Sequence, residues 1–70
     1  MQNNLEKLRE RERLTQQDLA DKVGVSRQTI ISLERGRYNP SIELAFRLAR
    51  LFETTIEEIF IYEEGSDENE

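Results

Sequence analysis

Apolar residues recur at spacings of three and four along the first 60 positions, and short polar breaks divide them into five segments. This periodicity is typical of amphipathic helices, and no segment shows the two-residue alternation of a half-buried strand. The predicted helices span residues 3–13, 16–23, 27–35, 42–52 and a short stretch that begins at Thr54 or Thr55. The predicted inward-facing residues are Leu5, Leu8, Leu19, Ala20, Val23, Ile30, Leu33, Ile42, Ala45, Leu48, Ala49, Phe52, Ile56, Ile59 and Phe60. The pattern therefore predicts an all-α fold.

Residues that stabilise helix ends stand at the breaks between these segments. Thr15 is followed three positions later by Asp18, which is the spacing of a capping box. Ser26 and Ser41 precede the third and fourth helices and are expected to cap them with their hydroxyl groups. Gly24 follows the second helix, where a residue without a Cβ atom adopts the left-handed conformation at little cost.

Charge is distributed unevenly along the chain. The net charge of −5 disfavours binding to phosphate, but residues 1–50 contain all ten Lys and Arg against seven acidic residues, a balance of +3. Residues 51–70 contain eight acidic residues and no basic one. We expect one domain over residues 1–62, followed by an acidic and disordered tail, residues 63–70, that has no apolar residue to bury.

Several classes of protein are disfavoured by composition. The chain has neither Cys nor His, so the commonest metal ligands and the commonest general base are absent, and we expect no metal or cofactor. No nucleophile–base pair can be assembled, which argues against an enzyme. No apolar run approaches the roughly 20 residues that cross a bilayer, and the first residues lack a signal-peptide pattern. A cytoplasmic protein without contact to membranes is expected.

The second and third helices, joined through Gly24 and Val25, form a predicted helix-turn-helix. In this arrangement the second of the two helices enters the DNA major groove with its first turns against the base edges. The first turn contains Arg27 and Gln28, whose side chains can form paired hydrogen bonds with guanine and adenine. Ser32 follows one turn later. The sequence therefore predicts a protein that binds double-stranded DNA.

Five segments in the same order are similar to the phage repressor and Cro (XRE-type) family of helix-turn-helix regulators. They are LTQQDLA at 14–20, VGVSRQTI at 23–30, LERG at 33–36, PSIELA at 40–45 and IEEIF at 56–60. The resemblance covers roughly residues 5–60 and implies a compact five-helix, lambda-repressor-like domain. It implies a sequence-specific transcriptional regulator, which we expect to be a repressor.

The family's DNA-contacting positions can be carried over to this sequence. The resemblance implies base contacts from Arg27, Gln28 and Ser32. It implies phosphate contacts from Gln16, Ser26, Thr29, Arg35, Arg37, Tyr38 and Asn39. Arg9 and Glu34 occupy the positions of a structural ion pair between the first and third helices. Each polar residue has a simpler alternative role, since Ser26 is first an N-cap and Arg35 and Arg37 can stabilise the helix dipole.

This sequence departs from the family pattern at two positions, and a third residue is unexpected within its helix. Family members commonly have Gly where Arg13 and Glu53 stand, so we expect the first and fourth helices to end differently here. Ile31 is unexpected because Ile30 and Leu33 already supply the inward face of the third helix. Ile31 can shield the edge of the core or contact a thymine methyl group, and we favour the core.

A single small module makes few contacts to DNA, so we expect a homodimer on a palindromic operator with half-sites about 34 Å apart. Apolar residues left over from the core are candidates for the dimer interface: Phe46, Leu51, Ile61 and Tyr62. Alternatively, Phe46 and Leu51 widen the core face, and Ile61 and Tyr62 fold back over the first helix. No sensor domain follows the helices in the sequence, so no small-molecule effector is expected. The alternative function is an antitoxin-like or adaptor module that binds a protein partner, with DNA binding secondary.

Overall fold

The computed structural model describes residues 2–37 and 39–61, which form five helices and two short strands. The order is β1 (Gln2–Asn3), α1 (Leu5–Arg11), α2 (Gln16–Val23), α3 (Arg27–Glu34), α4 (Ile42–Leu51), α5 (Ile56–Ile59) and β2 (Phe60–Ile61). The helical fold and the order of its five helices confirm the sequence prediction. The predictions for Tyr38, Tyr62 and the acidic tail lie outside the described residues.

The predicted N-caps are present. The Thr15 hydroxyl accepts a hydrogen bond from the Asp18 backbone N–H at 2.9 Å, and the Asp18 carboxylate accepts one from the Thr15 N–H at 3.0 Å, which completes the capping box. Ser41 caps α4 through the Leu44 N–H. Thr55, rather than Thr54, caps α5. These local hydrogen bonds supply acceptors for backbone N–H groups in the first turn, which have no acceptor within the helix.

The expectation that α1 and α4 end differently from family members is wrong. Arg13 has φ of 61° and Glu53 has φ of 54°, so both residues adopt the left-handed conformation that usually favours Gly. Their flanking hydrogen bonds follow the Schellman pattern, from the Leu14 N–H to the Arg9 carbonyl at 3.0 Å and from the Thr54 N–H to the Ala49 carbonyl at 2.9 Å. The helix-ending geometry is therefore kept at the cost of two strained residues.

Two short strands are present that the apolar pattern did not predict. β1 pairs with β2 in antiparallel register, Gln2 with Ile61 and Asn3 with Phe60. Each strand has two residues, which is too short to produce an alternating pattern. Asn3 therefore precedes α1 instead of lying in it, and its side-chain oxygen accepts a hydrogen bond from the Leu5 N–H at 3.0 Å.

The core is built from residues of all five helices. The largest fully buried side chains are Leu5, Leu19, Ile30, Leu33, Leu48 and Ile59. The predicted inward position of Ile42 is wrong: its side chain is 76% exposed, and Leu44 is buried instead. Ile42 is the first residue of α4, and the exposed Phe46 follows it one turn later.

In the described ranges, no helix is long and apolar enough to cross a membrane.

Candidate nucleic-acid interface

The turn between α2 and α3 fixes the orientation of the two helices. Gly24 ends α2 with φ of 77°, in the left-handed conformation that the sequence predicted. The Ser26 hydroxyl accepts a hydrogen bond from the Thr29 N–H at 3.1 Å and lies 3.0 Å from the Thr29 hydroxyl. Buried residues of both helices, including Ala20 and Ile30, then pack against each other in the core. The first turn of α3 is thereby held at a defined angle.

The face of α3 that points away from the core contains the predicted base-contacting residues. Arg27 and Gln28 are exposed, and Ser32 is half-buried, whereas Ile30 and Leu33 are buried. Residues separated by four positions lie on the same side of a helix, so Gln28 and Ser32 are neighbours along this surface. The structure brings all three predicted residues to one accessible side of α3.

An open groove of about 320 Å³ runs beside this surface. It is lined by Glu6, Gln16, Arg27, Ile31, Glu34 and Arg35. The groove places Gln16 and Arg35, two predicted phosphate-contacting residues, next to the predicted base-contacting residue Arg27. Residues from α1, α2 and α3 therefore meet at one surface although they are far apart in sequence.

The other predicted phosphate-contacting residues lie elsewhere around α3. Thr29 lines a second groove together with Gly24 and Arg47, on the α4 side of the turn. Arg37 and Asn39 are exposed in the segment that follows α3. The structure thus divides the predicted phosphate contacts between the two flanks of α3 and its carboxyl-terminal end.

An ion pair between Arg9 and Glu34 lies under the first groove. The distance from Arg9 Nε to Glu34 Oε2 is 2.6 Å, and the side chains are only 12% and 6% exposed. The hydrogen bond with Glu34 raises the pKa of Arg9 above its ordinary value, against an opposing effect of burial. The Gln16 amide donates to Glu34 Oε1 at 3.1 Å, and Arg9 Nη1 donates to the Leu14 carbonyl at 2.8 Å. This network connects α1, the start of α2 and the end of α3.

A contact that the sequence pattern did not predict holds the turn from the opposite side. Arg47 Nη1 on α4 donates to the Val23 carbonyl at the end of α2, at 3.0 Å. Arg47 Nη2 also bonds to Glu43 Oε2 at 2.7 Å, one turn earlier on the same helix. The spacing of Glu43 and Arg47 was visible in the sequence as a helical ion pair. Its connection to α2 depends on tertiary packing.

A second missed contact involves the amino-terminal segment. The Asn3 side-chain amide donates to the Leu33 carbonyl at 2.8 Å, which adds a second donor to a carbonyl that also accepts from the Gly36 N–H at 2.9 Å. Asn4 donates through its backbone N–H to the Ile59 carbonyl at 2.8 Å and through its side chain to the Glu58 carbonyl at 3.0 Å. The segment before α1 therefore connects the end of α3 to the end of α5.

The predicted dimer residues have different environments. Phe46 is 55% exposed and Ile61 is 37% exposed. Leu51 is half-buried and packs against the core, as the alternative interpretation expected. Ile42, which was not a predicted interface residue, adds an exposed apolar side chain one turn before Phe46.

Comparisons with known proteins agree with this architecture. The profile of the family described as Helix-turn-helix matches residues 5–59. An uncharacterized HTH-type transcriptional regulator from Methanocaldococcus jannaschii is 56% identical over 64 residues, which are 91% of this chain and 97% of the relative. The relative is named as a regulator, which is a role without catalysis.

Solved structures show the same similarity. The restriction-modification controller protein C.AhdI from Aeromonas hydrophila has a TM-score of 0.71 and 32% identity, covering 80% of this chain and 85% of that chain. A transcriptional regulator from Listeria innocua has a TM-score of 0.75 and 27% identity, covering 99% and 70%. The helix-turn-helix geometry, the profile match and these relatives together show that the chain belongs to the XRE-type helix-turn-helix family of DNA-binding transcriptional regulators.

Proposed function

We propose that this chain is a transcriptional repressor that binds a palindromic DNA operator as a homodimer, with α3 in the major groove. The observation that carries the proposal is the accessible side of α3. Arg27 and Gln28 project from its first turn, while Ile30 and Leu33 on the opposite side are fixed in the core. This arrangement presents the two side chains best suited to paired hydrogen bonds with purines.

Phosphate contacts on both sides of α3 would set the position of this helix on the duplex. Gln16 is at the first position of α2, where backbone N–H groups and the helix dipole favour an anion. Its amide group donates one hydrogen bond to Glu34 and retains a second N–H for a phosphate oxygen. Arg35 and Arg37 supply positive charge at the opposite end of α3. These contacts contribute affinity without distinguishing sequences.

A homodimer would supply the specificity that one module lacks. A single DNA-binding module buries about 600–1,000 Å² of protein surface, whereas two copies on adjacent half-sites double the number of base contacts. Phe46 and Ile42 form an exposed apolar strip on α4, and Ile61 is a further exposed apolar residue on β2. Covering this strip against a second copy would bury apolar area, and a palindromic operator would require the two α3 helices to lie about 34 Å apart.

Selection from a random pool of double-stranded DNA tests the proposal. Three proteins are compared at near-physiological salt: the full chain, Arg27→Ala/Gln28→Ala, and the control Arg11→Ala/Gln17→Ala. The control residues are exposed on α1 and α2, and their replacement changes net charge equally. We expect a palindromic motif for the full chain and the control, and none for the α3 variant. Equal behaviour of all three proteins without an enriched motif would contradict the proposal and favour a protein-interaction module.

A further inference from the structure

Ile31 occupies a position that core packing does not explain. The half-buried apolar side chains packed against the core are Leu8, Leu14, Val25, Leu51 and Ile56 in the part of the chain that the structure describes. Ile31 is half-buried but does not belong to this group. The expectation that Ile31 shields the core is therefore not supported, and its surroundings suggest another role.

Those surroundings are polar and lie on the side of the domain that is proposed to face DNA. Ile31 lines the groove of about 320 Å³ together with Gln16, Arg27 and Arg35. Arg27 precedes it by four positions and Arg35 follows it by four, so the three side chains form one row along α3. A branched apolar side chain thus lies between two arginines at the proposed DNA surface.

The major groove offers few apolar partners for such a side chain. The edges of the bases expose hydrogen-bond donors and acceptors, and the apolar group among them is the methyl group on C5 of thymine. A methylated cytosine has a methyl group at the same ring position. An isoleucine at the surface of α3 is therefore suited to a C5-methyl pyrimidine and would gain little from an unmethylated cytosine.

We propose that Ile31 is a specificity-determining residue that packs against the C5-methyl group of a pyrimidine in the operator. The proposal rests on the proposed function, in which α3 lies in the major groove. Ile31 lies about 6 Å along the helix from Arg27, because each residue advances the helix by about 1.5 Å. The methylated base is then expected within about two base pairs of the base that Arg27 contacts.

Replacing thymine by deoxyuridine removes only this methyl group and leaves the hydrogen-bonding pattern unchanged. Each thymine of the selected operator is replaced in turn, in both half-sites, and Kd is measured by fluorescence anisotropy with the full chain. We expect one position at which deoxyuridine weakens binding about fourfold per half-site, equivalent to about 0.8 kcal/mol for one buried methyl group. Symmetric replacement in both half-sites then weakens binding about fifteenfold.

Variants at Ile31 test whether this residue causes the weaker binding to the deoxyuridine operator. Ile31→Ala should bind the thymine and deoxyuridine operators with equal affinity, and Ile31→Val should keep most of the discrimination. Ile56→Ala is the control, because Ile56 is half-buried against the core on α5. It should lower the free energy of unfolding and leave the discrimination unchanged. If Ile31→Ala still distinguishes the two operators, the proposal is wrong.

A further comparison of operators tests the methyl group directly, and the outcomes distinguish failure of this inference from failure of the proposed function. Operators with cytosine or 5-methylcytosine at the sensitive position show whether the methyl group alone is sufficient, and we expect tighter binding to the methylated form. If the full chain has a preferred operator that depends on Arg27 and Gln28 but is insensitive to deoxyuridine, the inference about Ile31 is wrong while the proposed function stands. If no preferred operator exists, both are wrong.

Discussion

Removing Arg9 tests how strongly the ion pair beneath the α3 groove stabilises the domain. Arg9→Met keeps most of the apolar stem but removes three hydrogen bonds, two to Glu34 at 2.6 and 3.3 Å and one to the Leu14 carbonyl at 2.8 Å. The Glu34 side chain is 6% exposed, and of its hydrogen bonds within residues 2–37 and 39–61 the one from Gln16 would remain. An uncompensated buried charge of this kind costs about 3–5 kcal/mol.

The expected loss of stability in Arg9→Met is large for a domain of this size. Folded domains have about 0.05–0.15 kcal/mol of stability per residue, so a loss of 3–5 kcal/mol removes much of the total for about 60 residues. Replacing both partners should cost less than Arg9→Met alone, because no buried charge remains. Arg9→Met/Glu34→Leu leaves the Gln16 amide without its acceptor, which retains a penalty of about 1 kcal/mol.

Urea unfolding followed by circular dichroism measures this coupling. The full chain, both single variants and the double variant are compared in one fixed concentration of an osmolyte, which keeps the weakest variant folded. The control is Arg11→Met, whose ion pair with Glu12 has a distance of 3.7 Å and more than half of each side chain exposed. We expect a loss below about 1 kcal/mol for the control. The reasoning fails if Arg9→Met costs no more than Arg11→Met, or if the double variant loses as much as the two single variants added together.

Three further predictions concern helix ends and the turn. Arg13→Gly and Glu53→Gly should each raise the free energy of unfolding by about 0.5–1 kcal/mol, measured by urea titration. Each substitution relieves about 1–2 kcal/mol of left-handed strain, which exceeds the free-energy cost of the added entropy of the unfolded chain. Glu12→Gly, at φ of −88°, should destabilise instead. The backbone hydrogen bond from Thr15 lowers the pKa of Asp18 in the folded state. This carboxylate therefore stabilises the fold above its unfolded pKa of about 3.9, and the stabilisation is lost as pH falls through the lower pKa of the folded state. Asp18→Asn should therefore flatten the dependence of stability on pH below about pH 4, and an unchanged slope would contradict this assignment. Arg47→Met should cost about 1 kcal/mol and accelerate amide exchange at Gly24 and Val25, whereas Arg47→Lys should recover part of both effects.

The parts of the fold that the sequence predicted well depend on local interactions. The caps at Thr15, Ser26 and Ser41 each involve an N–H three residues later, so the whole interaction lies within one turn of sequence. The order of the helices and the outward placement of Arg27 and Gln28 follow from apolar periodicity. Such features need no knowledge of the tertiary structure.

The features that were missed join residues that are distant in the chain. Asn3 contacts Leu33 across 30 positions and Arg47 contacts Val23 across 24, and neither residue type signals such a partner. Ile42 satisfies the helical apolar pattern but lies on the same exposed side of α4 as Phe46, one turn away. The position of Ile31 likewise depends on which neighbours line the groove, which periodicity alone does not specify.

The left-handed residues are a different case. Arg13 and Glu53 were expected to change the helix ends because an isolated residue avoids this conformation. The Schellman hydrogen bonds that follow α1 and α4 stabilise the geometry in spite of the side chain. Here the energy of the local motif exceeds the preference of the single residue.

The most direct test of the central claim is the ratio of Kd for a scrambled duplex to Kd for the selected operator, measured with the full chain near physiological salt. Specific DNA-binding proteins distinguish such duplexes by about 10³-fold or more. We expect a ratio in that range for the full chain and a loss of at least tenfold in the ratio for Arg27→Ala/Gln28→Ala. A ratio near one for the full chain, or the same ratio for the variant, would contradict the assignment of α3 as the helix that recognises DNA sequence.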